Sequence, residues 1–264
     1  MQSMPQETAV AGDVKLDLSV SIEKDGSRIP QQVRASSVNF MPTIIPTFNN
    51  PTFLRGMIEQ LEALHCANII VVDNASTFPP MVAYLKQIDT RIKVMRMPDN
   101  AGPRRVWKDT AFYKSLPQVF CVTDPDLRFN SAMPPTFMDD LYAASCRHRI
   151  GKVGLALDIS SPSNLVQQKF SYHGVLMNIW EWEARFWQRE VETNVYSAPI
   201  DTTFALYNKS HFNPARGLRP ALRMAGHFTC EHLPWLNSFS LPDAEVEFYR
   251  ENNRHSSYYP KSDK

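Results

Sequence analysis

Residues 68–74 read NIIVVDN, an uninterrupted run of four β-branched apolar side chains that ends in an acid and an amide. Such a run is typical of a strand that is buried on both faces of a parallel sheet. The preceding segment, from Thr52 to about His65, has helical spacing, and TIIPTF at 43–48 is an earlier apolar strand. Together these segments predict a strand–helix–strand unit.

Strands and helices continue to alternate towards the C-terminus. The predicted elements are a helix at 79–88 that begins on two prolines, a strand at 92–97, a helix at 104–116, a strand at 118–124, a helix at 134–148 and a strand at 152–159. This order is typical of an α/β protein. We therefore expect a Rossmann-like, mostly parallel sheet with helices on both faces.

The two ends of the chain depart from this pattern. VKLDLSVSI at 14–22 alternates apolar and polar residues, which predicts a strand or hairpin in an N-terminal extension over 1–41. Residues 42–255 are expected to form a single domain, and the polar tail 256–264 is expected to be disordered.

Composition narrows the class of protein. With 43% hydrophobic and 21% charged residues the chain is ordinary for a globular protein, and a net charge of +1 predicts no nucleic-acid partner. No apolar run approaches the ~18 residues of a membrane span, and the N-terminus lacks the features of a secretory signal. The four cysteines include no CxxC pair, so a reduced, cytoplasmic setting is expected.

Polar residues cluster where the early predicted strands end. They are Thr47 and Asn49, then Asp73 and Asn74, then Asp99, Asn100 and Gly102, and finally Asp124 and Asp126. Any one of them is ordinary in a loop. Ligands of open α/β sheets bind outside the carboxyl ends of the strands, so four successive ends of this kind predict one binding rim.

The stretch CVTDPDLRF at 121–129 places two carboxylates one residue apart. The chain has neither a G-x-G-x-x-G cradle nor a P-loop, so a bound diphosphate would need another source of positive charge. A divalent cation held by carboxylates supplies it, and Asp124 and Asp126 point to one side if the backbone is extended. Mn²⁺ or Mg²⁺ is therefore the expected cofactor. The structural alternative is a turn, which Asp-Pro also opens.

Four stretches, TIIPTFNN, IIVVDNAST, MPDNAGPRRVW and FCVTDPDLRF, resemble in order and spacing the nucleotide-sugar half of a family 2 glycosyltransferase with the GT-A fold. The resemblance covers 42–130 well and 131–255, the acceptor half, more loosely. It implies a metal-dependent enzyme that moves a sugar from a nucleoside diphosphate sugar, with UDP favoured, to a glycan or glycolipid acceptor. An inverting outcome is expected, and peripheral membrane association stays open.

The resemblance also implies roles for individual residues at the rim. The nucleotide-sugar site would comprise Pro46, Thr47 and Asn49 in the nucleotide pocket, Asp73 at the base, Asn100 and Gly102 near the ribose and diphosphate, and Asp124 at the ribose and metal. Asp126 would be a second metal ligand. Arg104 and Arg105 either contact phosphate or form a solvated helix start.

The C-terminal half offers a general base and a further metal ligand. Asp201, which precedes an apolar β-branched run, is our candidate for deprotonating the acceptor hydroxyl, although an Asp there also caps helices or enters strands. The competing carboxylates are Asp158, Glu181 and Glu183. His232 is the predicted third metal ligand and His227 the alternative, unless both are structural.

Aromatic residues crowd the segment NIWEWEARFWQRE at 178–190. Trp180 and Trp187 are seven residues apart and are predicted to share a helical face, either as core packing or as a platform on which an acceptor sugar stacks. Two other functions fit parts of the sequence. One is a haloacid-dehalogenase-like phosphohydrolase with Asp124 as nucleophile, and the other is a non-catalytic sugar-binding module.

Overall fold

The computed structural model describes residues 41–201, 203–217 and 220–252. The predicted N-terminal strand or hairpin and the predicted disordered tail lie outside these residues. The strands are β1 (Thr43–Thr47), β2 (Ile69–Asp73), β3 (Lys93–Arg96), β4 (Val119–Val122), β5 (Leu127–Phe129), β6 (Lys152–Leu157), β7 (Lys169–Tyr172), β8 (Val175–Asn178), β9 (Glu190–Glu192), β10 (Val195–Ser197), β11 (Ala205–Asn208) and β12 (Leu222–His232). The helices are α1 (Pro51–Ala63), α2 (Pro79–Ile88), α3 (Arg105–Lys108), α4 (Thr110–Ser115), α5 (Phe137–His148), α6 (Ile179–Ala184) and α7 (Asp243–Asn252).

Ten strands form one mixed sheet in the order β3-β2-β1-β4-β11-β6-β12-β10-β9, with β5 added alongside β12. The first four strands are parallel, β11 is antiparallel to both of its neighbours, and β6 and β12 are again parallel. The register of β1 on β2 places Thr47 opposite Asp73, so the carboxyl ends of these strands are level. The predicted α/β architecture, a sheet with a parallel N-terminal half and helices on both faces, is confirmed.

Helices cover both faces of the sheet because the buried strands carry apolar side chains on both sides. Ile45 and Val71 pack on one face against α1, α2 and α5. Ile44 and Val72 point to the opposite face, where Val106 of α3 packs with them and Phe112 and Tyr113 of α4 lie partly buried beside them. The C-terminal helix α7 closes over the start of α1, where Glu245 accepts a 2.7 Å hydrogen bond from the Thr52 hydroxyl.

Two predicted helices are wrong in extent. The helix expected over 104–116 is broken into α3 and α4, because the Asp109 carboxylate accepts a 2.9 Å hydrogen bond from the Phe112 amide and caps α4. The helix that carries Trp180 ends at Ala184 and continues as a single 3₁₀ turn through Trp187. Trp180 and Trp187 therefore do not share a helical face.

A second, two-stranded sheet is formed by β7 and β8. Its base joins a small apolar cluster of Leu165, Ile179 and Leu236, against which Phe170 and Trp235 pack. Within the described ranges, no helix is both long enough and apolar enough to cross a membrane.

Candidate active site

The loops that follow β1 and β2 are tied together at the carboxyl end of the sheet. The Asn74 amide donates to the Thr47 carbonyl at 2.9 Å. Asn49 has a positive φ of 55°, and its side-chain oxygen accepts hydrogen bonds from the Thr77 and Phe78 amides at 2.8 and 2.9 Å. Asn49 thus holds the two loops in register. Pro46 and Thr47, which are predicted to line the nucleotide pocket, are both buried at the end of β1.

Asp73 lies at the end of β2, where the nucleobase is predicted to bind. Its carboxylate accepts a hydrogen bond from the Ser76 amide at 3.1 Å. Burial raises the pKa of Asp73, and the hydrogen bonds from Ser76 oppose that rise. A buried carboxylate fixed in this way is an oriented hydrogen-bond acceptor at the rim.

The two adjacent arginines have different environments. Arg105 is buried, and its guanidinium donates to Asn74 Oδ1 at 2.8 Å and to the Asp99 carbonyl at 2.7 Å, and pairs with the Asp99 carboxylate. It therefore joins the loops after β2 and β3. Arg104 is largely exposed and forms a 2.9 Å ion pair with Asp201. Of the two, Arg104 has the freedom to reach a phosphate.

The loop after β3 is shaped by Asn100 and Gly102. The Asn100 side-chain oxygen accepts a 2.9 Å hydrogen bond from the Gly102 amide. Gly102 has a φ of 81°, a conformation that favours glycine and that allows the backbone to turn towards α3. These two residues bring Pro103 and Arg104 to the mouth of a cavity.

A cavity of about 50 Å³ lies between the end of β4 and the loop before β11. Its charged lining is Arg104, Asp124, Lys152 and Asp201, and Trp107 and Tyr207 form part of the wall. Lys152 is only 2% exposed, and its ammonium donates a 2.6 Å hydrogen bond to the Ile200 carbonyl, next to Asp201. The structure thus brings together two predicted site carboxylates, Asp124 and Asp201, which are far apart in sequence.

Electrostatics favour a positive charge beside Asp124. Burial raises the pKa of this carboxyl well above its usual range, and the nearby Asp126 and Asp201 raise it further, against the opposing influence of Lys152 and Arg104. Burial lowers the pKa of Lys152 to about 8, while Asp201 acts in the opposite direction. A cation at this edge of the sheet would relieve the repulsion among the three carboxylates.

Asp126 meets His232 on the other side of the motif. Pairing of β5 with β12 sets Leu127 opposite His232, and the Leu233 amide donates to the Asp126 carbonyl at 2.9 Å. His232 Nε2 lies 3.1 Å from Asp126 Oδ2, and the imidazole packs edge-on against Trp235 with ring centroids 4.7 Å apart. The predicted anchoring of His232 by Trp235 is present. His227 is exposed in the bulged part of β12 and does not share this position.

The residues around Asp126 fit a divalent cation. Asp126 Oδ1 is buried and has no hydrogen-bond partner among the described residues, so an oxygen ligand is available beside an imidazole. Across those same residues no three His, Cys, Asp or Glu side chains converge on one metal position. The predicted metal ligands Asp124, Asp126 and His232 therefore do not converge on one position. Asp126 and His232 meet, while Asp124 faces the cavity.

The three carboxylates that compete with Asp201 have structural roles. Glu181 forms a capping box with Asn178 at the start of α6. Glu183 is buried in an ion pair with Arg223, and burial raises the pKa of Glu183 to about 7 although Arg223 opposes the rise. Asp158 accepts a 2.8 Å hydrogen bond from the Ser160 amide. Asp201, whose side chain is 73% exposed, is the one that borders the cavity.

Sequence reasoning missed Lys152 and the Glu183–Arg223 pair. The signal for Lys152 was present, because a lysine that begins the otherwise apolar run KVGLAL must bury its charge. The aromatic residues divide between two environments. Trp182 packs against Phe170, Tyr172 and Phe186, whereas Trp180 is exposed, so only Trp180 presents a free ring to a ligand.

Three solved structures illustrate the similarity in fold. S. aureus TarS 1–349 matches with a TM-score of 0.43 and 11% identity, over 80% of this chain and 63% of that one. GalNAc-T7 with UDP, GalNAc and Mn²⁺ matches with a TM-score of 0.49 and 13% identity, over 81% of this chain and 47% of that one. Glucosyl-3-phosphoglycerate synthase from Mycobacterium tuberculosis, with Mn²⁺, UDP and glucosyl-3-phosphoglycerate, matches with a TM-score of 0.36 and 16% identity. This match covers 53% of this chain and 52% of that one. This chain spans less than two thirds of the length of each.

At the level of sequence, no curated protein gives a significant match. The family model described as "Glycosyl transferase family 2" matches residues 43–153, which run from β1 into β6 and include the Asp-x-Asp motif. The resemblance predicted from four short motifs is confirmed over residues 43–153, where this chain is similar in sequence to family 2 glycosyltransferases.

Proposed function

We propose that the protein transfers a sugar from a UDP-sugar to a glycan or glycolipid acceptor, with inversion at the anomeric carbon. The observation that carries this proposal is the pairing of Asp126 with His232, which leaves one buried carboxylate oxygen without a partner in the described part of the chain. Asp126 also raises the pKa of the neighbouring Asp124 carboxyl, and both residues lie in the segment that matches the family 2 model. We further propose that the enzyme acts in the cytoplasm, at the surface of a membrane.

The donor would lie across the level ends of β1 and β2 and beside the segment that follows β4 and carries Asp124. Pro46 and Thr47 would line the nucleotide pocket, Asp73 would accept from the base, and Asp124 would face the ribose. Asp126 and His232 would hold Mn²⁺ or Mg²⁺ together with phosphate oxygens. The cation, when bound, neutralises the charge that develops on the departing diphosphate. Arg104 is placed to add a second positive charge.

Asp201 is our candidate for the general base. Its carboxylate would take the proton from the acceptor hydroxyl as that oxygen bonds to the anomeric carbon and the bond to the diphosphate oxygen breaks. In the present structure Asp201 is paired with Arg104. If Arg104 turns to the diphosphate when the donor binds, the Asp201 carboxylate becomes available to the acceptor.

Nucleotide binding should depend on the metal. UDP at 100-fold over its dissociation constant is expected to stabilise the protein by about 2.7 kcal/mol in the presence of Mn²⁺. With EDTA the shift should disappear, because without a cation the diphosphate would approach Asp124 and Asp126 uncompensated. A thermal-shift panel of nucleoside diphosphates with Mn²⁺, Mg²⁺ or EDTA measures this. Equal shifts with Mn²⁺ and EDTA would refute the proposal.

Replacing the general base should separate binding from chemistry. Asp201→Asn is expected to keep UDP affinity in Mn²⁺ within a few-fold of wild type and to lower kcat by ~10² or more. Asp89→Asn is the matched control, because Asp89 also forms an exposed ion pair with an arginine, Arg96, but does not line the cavity. If Asp201→Asn turns over at the rate of the control, another group is the base.

A further inference from the structure

The β7–β8 hairpin carries an unusual share of the exposed apolar surface. Of the six large apolar side chains that are exposed in the described part of the chain, four lie between Tyr172 and Trp180. Val175 is 54% exposed, Leu176 63% and Trp180 41%. Contiguous exposed apolar side chains of this kind mark an interaction surface.

The geometry of the hairpin shows apolar groups on both of its faces. His173 and Gly174 have φ of 49° and 79° and form a tight turn. The register places Tyr172 opposite Val175 and Ser171 opposite Leu176. Residues that face each other across antiparallel strands share a side, so Val175 and Leu176 project to opposite sides of the tip.

Polarity changes along the length of the hairpin. The base carries Lys169, which is exposed. Beside the strands, the Arg185 guanidinium lies 5.0 Å from the ring centre of Tyr172, which pairs with Val175, and 3.9 Å from that of Trp182. The tip carries Val175 and Leu176, with the His173 ring against Tyr172. Two cations and amphipathic aromatic rings along the strands, with aliphatic groups at the turn, are the kinds of side chain that contact a membrane interface.

We propose that the β7–β8 hairpin inserts its tip into an anionic lipid bilayer surface. A flat protein partner would cover one face of the hairpin, whereas a tip that is apolar on both sides requires an apolar medium around it. Lys169 and Arg185 match the negative charge of anionic headgroups. This inference rests on the proposed function, which includes a glycolipid acceptor. Phe170 and Trp235 pack on the same small cluster, and Trp235 contacts His232, so the hairpin would hold the metal site near the membrane.

Co-sedimentation of the full chain with vesicles tests the inference. We expect binding to phosphatidylcholine vesicles that contain phosphatidylglycerol, and weaker binding at higher salt. Leu176→Asp and Val175→Asp should each lower the partition coefficient by about tenfold or more. Val191→Asp is the matched control, because Val191 is 43% exposed on β9 of the other sheet, and it should bind as wild type does.

Several results would overturn the inference. It fails if the wild-type chain does not bind vesicles, or if Leu176→Asp binds as tightly as the Val191→Asp control. A dimer in size-exclusion chromatography that Leu176→Asp dissociates, without vesicle binding by wild type, would assign the tip to a second copy of the chain. Metal-dependent stabilisation by UDP, measured on the same variants, should be unchanged. That readout separates failure of the membrane contact from failure of the proposed enzyme.

Discussion

Asp126→Ala and His232→Ala are each expected to weaken UDP binding in Mn²⁺ by about 100-fold or more. Both side chains would serve one ion, since His232 Nε2 and Asp126 Oδ2 lie 3.1 Å apart. The double variant should therefore bind only slightly more weakly than either single variant, because the second change removes a ligand from a site that is already lost. Isothermal titration of UDP into each variant, with Mn²⁺ and with EDTA, gives the three affinities.

The control for this cycle is His148→Ala. His148 also lies 2.8 Å from a carboxylate, that of Glu192, but on the surface at the end of α5. Its loss should leave the affinity for UDP unchanged. Losses that add in the double variant would show that Asp126 and His232 act on different parts of the ligand. An unchanged affinity in His232→Ala would remove His232 from the metal site.

The second large effect is expected on stability. Arg223→Met should lower the free energy of unfolding by about 3–5 kcal/mol, because it leaves the buried Glu183 carboxylate without its cation. Arg223 also donates a 2.7 Å hydrogen bond to the Pro199 carbonyl and lies over the Phe186 ring. It therefore connects β12 to α6 and to the segment that leads to Asp201. Urea denaturation followed by circular dichroism measures the loss.

The loss of unfolding free energy in Arg223→Met should grow as pH rises. Burial already raises the pKa of Glu183 to about 7, and Arg223 is the strongest opposing influence, so removing it raises that pKa further. A carboxyl whose pKa is higher in the folded than in the unfolded state loses stability as pH rises between the two values. Arg223→Met should therefore be closer to wild type at pH 5 than at pH 8.

Arg147→Met provides the comparison on the surface. Arg147 forms an exposed ion pair with Glu192, and its removal is expected to lower stability far less than Arg223→Met does, because water screens the pair. If Arg223→Met is as stable as Arg147→Met at pH 8, the Glu183–Arg223 pair is not what holds α6 on β12.

The strands, and the polar loops that follow them, could be predicted from the sequence because their signals are local. NIIVVDN and KVGLALDI are apolar runs that only a doubly covered strand explains, and each polar cluster directly follows its strand. The extent of α6 could not be predicted in this way. Trp180 and Trp187 have helical spacing, and the helix nevertheless ends at Ala184, because the following residues pack as a 3₁₀ turn against β10, where Trp187 contacts Tyr196.

Local sequence patterns could not predict the contacts between segments that are distant in sequence. Arg105 at the start of a helix looks the same in sequence whether it is solvated or held by Asn74 and Asp99. The place of Lys152 beneath Asp201 depends on β11 lying between β4 and β6, which no local spacing indicates. The pairing of β5 with β12 that brings His232 to Asp126 likewise joins segments about a hundred residues apart.

Release of UDP from UDP-sugars by the full chain would show whether the protein catalyses the proposed transfer. With Mn²⁺ the wild-type protein should cleave at least one UDP-hexose or UDP-N-acetylhexosamine over many turnovers, with the sugar passing to an added acceptor or, more slowly, to water. EDTA and Asp126→Ala should each abolish the release. A protein that binds no nucleotide and instead hydrolyses a phosphate ester such as p-nitrophenyl phosphate, through a phosphorylated Asp124, would not be a glycosyltransferase.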